Sequence, residues 1–508
     1  MGKPATIGLD FGTSTTMLAQ GEELVPLADN GRDRFMPSVI GFDDAGSVVV
    51  GEAAQFLAFP IRSIKRAITE GRRHVQAGRP FDGTEERVDA LMVELLREVI
   101  RRAGNANAPV QKRGVVRIGC PAMWSGEQRR RLVNIANKAG LPVKLDALVD
   151  EPVAAGIAWL AGDPKPRPEQ FRVLVFDMGG GTLDIAVLDV YGHRTVAVLA
   201  AFGIPVAGDA LDEAIAADLR DHAGAQATGG ENPESAWAEL RMAARDIKIQ
   251  LSTEDESVVT LSQKYFGSAE IWYTREQLEE LFTPQMDEAV MAVGLALRLA
   301  RLSDRAPDSL RSVARASIDE AIESVDVVVL AGGMAHVPYV RTRLEAMFGA
   351  GTEVAYAYPA AGARTLFRQP ELAIALGLAQ ADHFGRINLF RPALDIQLKI
   401  DGRRDPVTLY EAFTPLMDQG KLRSGSSDIR YVRTGRDLRL PATGTGTIRV
   451  ISHNGSPVQS TLDGRGLDGF PVTIDGSKFE FSLYPYGRIR LVDGAGMHEG
   501  QFDDWHVL

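Results

Sequence analysis

The chain has 508 residues, too many for one ordinary hydrophobic core, so several domains or subdomains are expected. With 45% hydrophobic and 24% charged residues it has the composition of a soluble globular protein, and a net charge of −11 excludes a global positive field for gripping nucleic acid, leaving only local basic patches. A single cysteine, Cys120, excludes an intramolecular disulfide and fits a reducing compartment.

The first six residues, Met1-Gly2-Lys3-Pro4-Ala5-Thr6, formally fit an N-myristoylation pattern, but they run straight into a predicted core strand and are not read as an anchor. No N-terminal segment has signal-peptide order and no stretch is long and apolar enough to span a bilayer, so a cytoplasmic protein with no membrane partner is expected. The first strand is Ile7-Gly8-Leu9-Asp10-Phe11-Gly12-Thr13-Ser14, an apolar run that ends in an aspartate and turns on a glycine. Arg62, Lys65 and Arg66 form a short basic run, which alone reads as solvated cations.

Thr84-Glu85-Glu86 predicts a helix start, with Val88, Leu91, Leu95 and Val99 as its apolar stripe and Gly104 as its stop. Ser125 opens a second helix, with Gln128 completing a capping box and Gly140 as the stop, and Pro121 precedes it. Pro164, Pro166 and Pro168 mark a surface loop. The initial turn then repeats as Val175-Phe176-Asp177-Met178-Gly179-Gly180-Gly181-Thr182, and a third apolar run, Val327-Val328-Val329-Leu330-Ala331-Gly332-Gly333-Met334, ends in paired glycines on which a flat ligand can lie.

Strand-like and helix-like segments alternate to about Phe384, which predicts an α/β region. From about Ile387 the pattern changes: Leu394, Ile396, Leu398 and Ile400 alternate, and turn dipeptides recur at Asp401-Gly402, Asn454-Gly455, Asp463-Gly464, Asp475-Gly476 and Asp493-Gly494. The expected division is 1–384, a linker at 385–393, and a β-sandwich-like region at 394–508, with no long amphipathic helix after it.

The two aspartate turns carry the functional argument. Amides converging in a glycine turn make an anion-binding nest, and an aspartate there repels phosphate unless a cation sits between them. Asp10 and Asp177 are therefore candidates for holding water on magnesium, with Thr13, Thr15 and Thr182 supplying hydroxyls and amides and Asp184 adding a further contact. Singly, each aspartate reads as an ordinary turn residue bonding its own backbone; the matched context reverses that reading. Neither G-x-x-x-x-G-K-[ST], a strand-linked G-x-G-x-x-G nor H-E-x-x-H occurs.

The order of these turns, Val149-Asp150-Glu151-Pro152-Val153-Ala154-Ala155 and the late Gly332-Gly333 resembles the actin/sugar-kinase/heat-shock ATPase superfamily, and most closely the seventy-kilodalton heat-shock chaperones, the DnaK-like proteins. Cys120-Pro121-Ala122-Met123-Trp124, Ile64-Lys65-Arg66-Ala67-Ile68 and Arg245-Asp246-Ile247-Lys248-Ile249-Gln250-Leu251-Ser252 resemble further segments of that family, over roughly residues 1–384. The resemblance implies a two-lobed actin-like ATPase that encloses ATP and magnesium, with potassium as a further candidate ion. Lys65, Glu151, Asp177 and Thr182 are then catalytic candidates: Lys65 beside the γ-phosphate, Glu151 orienting the attacking water. Gly12, Thr13, Ser14, Thr15, Gly179, Gly180, Gly181, Gly208 and Asp209 would line the phosphates. Arg245, Lys248, Ser252, Gly332, Gly333, Met334, His336 and Glu371 would line the nucleoside. Asp10, Asp177 and Asp184 would hold the metal, largely through water. Pro121 and Arg129 resemble a proline switch and a relay arginine.

The resemblance also has departures. Arg245 occupies the place of an acidic ribose contact, and Met334 and His336 replace a serine and an arginine near the base. The Lys65-to-Pro121 spacing is short, Ile387-Asn388-Leu389-Phe390 is the only linker-like segment, and no helical lid is legible. A chaperone or chaperone-related switch acting on extended peptide or a specific client is expected, with a J-domain partner and a nucleotide exchange factor implied by resemblance. The alternatives are a nucleotide-gated scaffold, a small-molecule kinase on the same fold and an actin-like filament protein.

Overall fold

The computed structural model describes residues 6–502 apart from 58, 77–84, 111–114, 164, 193, 224–232, 268–269, 305–316, 358–368, 389–390, 417–429, 454–457 and 485–486. Two mixed sheets follow one plan. The first runs in the order Leu148–Asp150, Val116–Cys120, Ile7–Phe11, Thr15–Gln20, Glu23–Leu24, and Phe35–Pro37 also pairs with Thr15–Gln20. The second runs Glu353–Tyr356, Val327–Ala331, Gln170–Met178, Leu183–Tyr191, Thr195–Ile204, Gly385–Asn388. In each, an antiparallel hairpin lies beside a parallel strand contributed from later in the chain. Every residue of Ile7–Phe11 and of Val327–Ala331 is buried, which is why these strands read as unbroken apolar runs rather than alternating ones.

The helices Glu151–Gly162 and Ala373–Gln380 pass between the two sheets. They cross so closely that a Cβ at Gly377 would fall 1.8 Å from the Ala154 carbonyl oxygen. The second of them lies equally close on the first sheet, where a Cβ at Gly8 would fall 2.2 Å from the Ala375 oxygen. These glycines allow backbone to meet backbone, so the two lobes share one waist.

Gly126–Ala139 begins with the expected Ser125–Gln128 capping box and ends on Gly140 at φ 99°. The other expected helix starts later than its sequence suggests. Thr84 lies outside the described residues, and Glu85–Arg87 forms a strand against His74–Gln76 before the helix Val88–Asn105 begins. A Thr-Glu-Glu start favours a helix locally, but the backbone of Glu85–Arg87 is taken by strand pairing, and the helix begins at Val88, which is fully buried.

The region from Leu394 is all β. One sheet contains Val407–Tyr410, Leu394–Ile400, Thr443–Ser452 and Pro471–Asp475. The other contains Tyr431–Thr434, Glu480–Leu483, Arg488–Val492, Met497–Phe502, Ser460–Leu462 and Arg465–Gly466. Leu394, Ile396, Leu398 and Ile400 are buried from the first sheet and Phe481, Leu483, Ile489 and Leu491 from the second. Asp463 and Gly464 both have positive φ, 49° and 71°, as a tight hairpin turn requires. The Asn454-Gly455 turn lies outside the described residues.

This region sits on the helix Gly126–Ala139. Asp395 accepts from Arg130 at 3.0 Å, from the Ala412 amide at 2.7 Å and from His453 at 2.8 Å. The first four residues of the expected linker, Gly385–Asn388, add a parallel edge strand to Thr195–Ile204. Among the described residues no helix is long and apolar enough to cross a membrane.

Candidate functional site

The two aspartate turns face each other across the cleft. Asp10 and Asp177 occupy equivalent places near the ends of the first strands of their hairpins, opposite Met17 and Asp184 respectively. A Cβ at Gly180 would fall 2.5 Å from Ser14 Oγ, and one at Gly181 would fall 3.0 Å from Thr13 Oγ1, so the turns at Gly12–Thr15 and Gly179–Thr182 oppose each other directly. The second turn is closed by Gly179 donating to the Thr182 carbonyl at 3.0 Å.

Beneath the turns lies a buried charge cluster. Lys65, at 3% exposure, donates to Glu151, the first residue of the helix Glu151–Gly162. Asp10, Asp177 and Asp184 are buried beside them at 4%, 4% and 1% exposure. Burial, with the Glu151 carboxylate adding to it and Lys65 opposing it, pushes the Asp10 carboxyl up to about 7. Burial and then Glu151 push Asp184 up to about 7, against the Thr182 hydroxyl, the Ala122 amide and Lys65. Asp177 is raised well above the carboxylate range by burial and then by Glu151, Asp184 and Asp10. Burial alone would lower the Lys65 ammonium; Glu151 and Asp10 outweigh it and hold it above its ordinary value.

This is a site with excess negative potential. Asp10 Oδ1 is buried with no hydrogen-bond partner, which a cation or its water would supply. Among the described residues no three carboxylate, histidine or cysteine side chains converge closely enough to ligate a metal directly. The donor set therefore fits a hydrated hard cation such as magnesium, which keeps most of its water, better than a directly ligated one.

The residues expected to line a nucleoside come from four segments. The helix Gly208–Ala223 begins where Gly208 donates to the Gly179 carbonyl at 3.1 Å and Asp209 to that of Gly180 at 2.6 Å. Lys248 Nζ reaches the Gly208 carbonyl at 3.2 Å and Asp212 at 2.5 Å. Gly332 has φ 76°, and a Cβ there would fall 2.4 Å from the Met178 oxygen, whereas Gly333 faces open space. Met334 is buried next to Gly208, and His336 pairs with Glu371 at 2.8 Å. Ser252 directs its hydroxyl back to the Lys248 carbonyl at 2.9 Å, so its proton is committed to its own helix. Arg245 is exposed on the same helix as Lys248.

A family model described as Hsp70 protein matches residues 84–355, more than half of the chain. The chain belongs to the Hsp70 family. The chaperone protein DnaK of Picrophilus torridus is 29% identical over 367 residues, covering 68% of this chain and 54% of its own length. DnaK of Thermotoga neapolitana is 28% identical over 369 residues, 68% and 56% of the two chains. The HscA homolog of Acidithiobacillus ferrooxidans is 28% identical over 367 residues, 67% and 54%. The chain thus spans about half the length of the curated relatives it matches. The two-lobed actin-like architecture expected of an Hsp70 ATPase domain, with an all-β region after it, is the architecture observed.

Several residues of this Hsp70 site escaped the sequence. Ser63 bonds Asp209 across the cleft at 3.1 Å. Trp124 is fully buried, with Nε1 on the Thr69 hydroxyl at 3.0 Å and its ring 5.8 Å from Lys65 Nζ. Asp212 neutralises Lys248. Arg391 approaches the Asp150 carboxylate at 3.8 Å, beside Arg129, the expected relay arginine, which is 2% exposed and donates to that same carboxylate. A pattern search for glycine turns cannot find these, although Asp212 lies one helical turn after Gly208 and shares its face.

Proposed function

We propose that this Hsp70 family member binds ATP with magnesium between its two lobes, hydrolyses it, and uses the resulting lobe movement to regulate binding of extended peptide or a protein partner by the β region. The observation that carries this reading is the buried Lys65–Glu151 pair beneath two opposed glycine turns. Phosphoryl transfer depends mainly on position and electrostatics. Glu151 would orient the attacking water and accept its proton. Lys65, held charged by its neighbours, would offset charge on the γ-phosphate, with Thr182 beside it. The turn amides of Gly12–Thr15 and Gly179–Gly181 would hold the phosphates, while Gly208, Asp209, Lys248, Ser252, Arg245, Gly332, Gly333, Met334, His336 and Glu371 would surround the nucleoside. Asp10 and Asp177, with Asp184 behind them, would hold the magnesium through water. The metal supplies charge neutralisation at the phosphates.

The contact of Arg130 with Asp395 supports coupling between the regions, and any such coupling is reciprocal: what ATP does to peptide affinity, peptide does to ATP affinity. A cytoplasmic location, potassium as a second ion, and J-domain and exchange-factor partners belong to this reading as family implications. The decisive experiment pairs ATP turnover with binding of a short apolar peptide in ATP and in ADP. Turnover with nucleotide-dependent peptide affinity supports the whole reading. Turnover with the same peptide affinity in both states removes the chaperone part. A nucleotide-gated scaffold is then the second reading, favoured because the family match ends at residue 355, before the β region.

A further inference from the structure

Lys65 is the N-cap of a four-residue helix, Arg66–Thr69. A single helical turn has no stability of its own, so contacts from elsewhere fix where it lies. Here they come from the start of the helix Gly126–Ala139 and the residues before it. Gln128 Nε2 donates to the Ile68 and Thr69 carbonyls, each at 3.1 Å. Trp124 Nε1 donates to the Thr69 hydroxyl at 3.0 Å.

Trp124 also reaches the other end of that turn. Its ring centre lies 5.8 Å from Lys65 Nζ, within the range at which an aromatic ring attracts a cation, and both side chains are buried, where that attraction is strongest. One indole thus holds the start of the turn through its ring and the end through its N–H. The tryptophan is itself held firmly. Its amide donates to the Pro121 carbonyl at 3.1 Å, and its carbonyl accepts from Arg129 Nε at 3.1 Å and from Arg391 at 2.6 Å. Lysine carries a point charge on a flexible stem, so the ion pair with Glu151 fixes one neighbour of the ammonium but not its direction. The indole supplies the second constraint.

Resting on the nucleotide reading above, we propose that Trp124 is a positioning residue for hydrolysis, which aims the Lys65 ammonium at the γ-phosphate by gripping both ends of the turn that carries it. The role needs no contact with the nucleotide. Trp124 acts through Lys65, so weakening its grip lowers turnover and leaves nucleotide affinity in place.

Steady-state hydrolysis of magnesium ATP and calorimetric ATP binding by the full chain test this in Thr69→Val, Thr69→Ser, Trp124→Phe and the double variant of Thr69→Val with Trp124→Phe. Thr69→Val removes the acceptor and leaves the ring; Trp124→Phe removes the donor and keeps an aromatic ring. In each of these two, kcat is expected to fall roughly 10- to 10²-fold while KM and ATP affinity stay within about threefold. Thr69→Ser keeps the hydroxyl and should keep most of kcat. Both single changes break the same bond, so the double variant should be no slower than the slower single one. Fluorine NMR of the chain labelled with fluorotryptophan reads the Lys65 contact without turnover: the resonance that vanishes in Trp124→Phe should move in Lys65→Ala. Unchanged kcat in folded Thr69→Val, losses that add in the double variant, or a Trp124 resonance indifferent to Lys65→Ala overturns the proposal, while hydrolysis by the wild type leaves the broader reading standing. If Trp124→Phe does not fold, Thr69→Val against Thr69→Ser decides by the same kcat criterion. If the wild type does not hydrolyse ATP, both readings fail.

Discussion

Lys65 and Glu151 form the one buried ion pair that sits against three further carboxylates, Asp10, Asp177 and Asp184, among the described residues. A single ammonium thus serves a cluster whose net charge is negative when every member is ionised. The arrangement is stable only if protons are retained or a cation is added.

Lys65→Ala removes the cation that the reading places at the γ-phosphate and leaves the nucleoside pocket intact. Turnover is expected to fall roughly 10²–10³-fold, the usual scale for losing one electrostatic stabiliser, while ATP affinity changes less than about tenfold. Phosphate release and calorimetric binding, measured on the same preparation, separate the two effects. Unchanged hydrolysis in this variant removes the assignment of Lys65.

Asp10 and Asp184 are both pushed up to about 7, mainly by burial. For a carboxyl raised above its unfolded value of 3.8, the stability gained from retaining the proton is fully present below that value and is lost as pH rises through about 7. The metal-free chain is therefore expected to melt at progressively lower temperature as pH rises across that window. Asp184→Asn should flatten part of this slope. Magnesium must displace the same protons, so magnesium-dependent nucleotide affinity should weaken as pH falls below about 7. Thermal melts with and without magnesium nucleotide check both halves; identical slopes in wild type and Asp184→Asn would count against the cluster.

Arg129 and Arg391 both approach Asp150, but unequally. Arg129 donates directly to it, whereas Arg391 stands at 3.8 Å and donates to the Trp124 carbonyl at 2.6 Å and the Phe413 carbonyl at 3.1 Å. Burial and then Arg129 lower the Arg391 guanidinium to about 10. Arg129→Met removes the main partner of a buried carboxylate and is expected to cost about 3–5 kcal/mol. Arg391→Met should cost less, about 1–3 kcal/mol, because carbonyl contacts are lost rather than a charge stranded. Urea denaturation of the two variants gives the order, and the reverse order would refute this account.

Gly377→Ala places a methyl 1.8 Å from the Ala154 oxygen at the waist. Neither backbone can yield without separating helices that both lobes share. A loss of at least about 3 kcal/mol is expected, with insoluble expression as the extreme outcome. Gly333→Ala serves as the control, since nothing lies within 4 Å of its Cβ position. Equal stability of the two variants would show that the crossing is looser than described.

Much of the site was legible because its turns are local. An apolar run, an aspartate and one or more glycines determine a hairpin over a dozen residues, and the repetition of that pattern at Asp10 and Asp177 marked the two turns that oppose each other in the fold. The all-β region was legible for the same reason, through alternation at Leu394–Ile400 and the turn dipeptides. What stayed hidden depends on contacts between distant segments. Ser63 meets Asp209, Trp124 meets Thr69 and Asp395 meets Arg130 only because separate elements are brought together. The helix start at Thr84 misled because capping-type residues also open strands when a partner backbone is available, as His74–Gln76 is for Glu85–Arg87. Resemblance singles out Arg129 as a relay arginine, but its partner Asp150 and its burial depend on a distant segment and were not legible.

The edge strand Gly385–Asn388 ties the chain to one lobe through Thr195–Ile204, and only three residues later Arg391 is bolted to the Trp124 carbonyl of the other. Three residues reach at most about 11 Å. Hinge motion between the lobes is therefore bounded by that length plus the reach of the Arg391 side chain. Opening beyond that reach must peel the strand from its sheet or pull the arginine from its seat, and either event would be felt at once by the β region next in line.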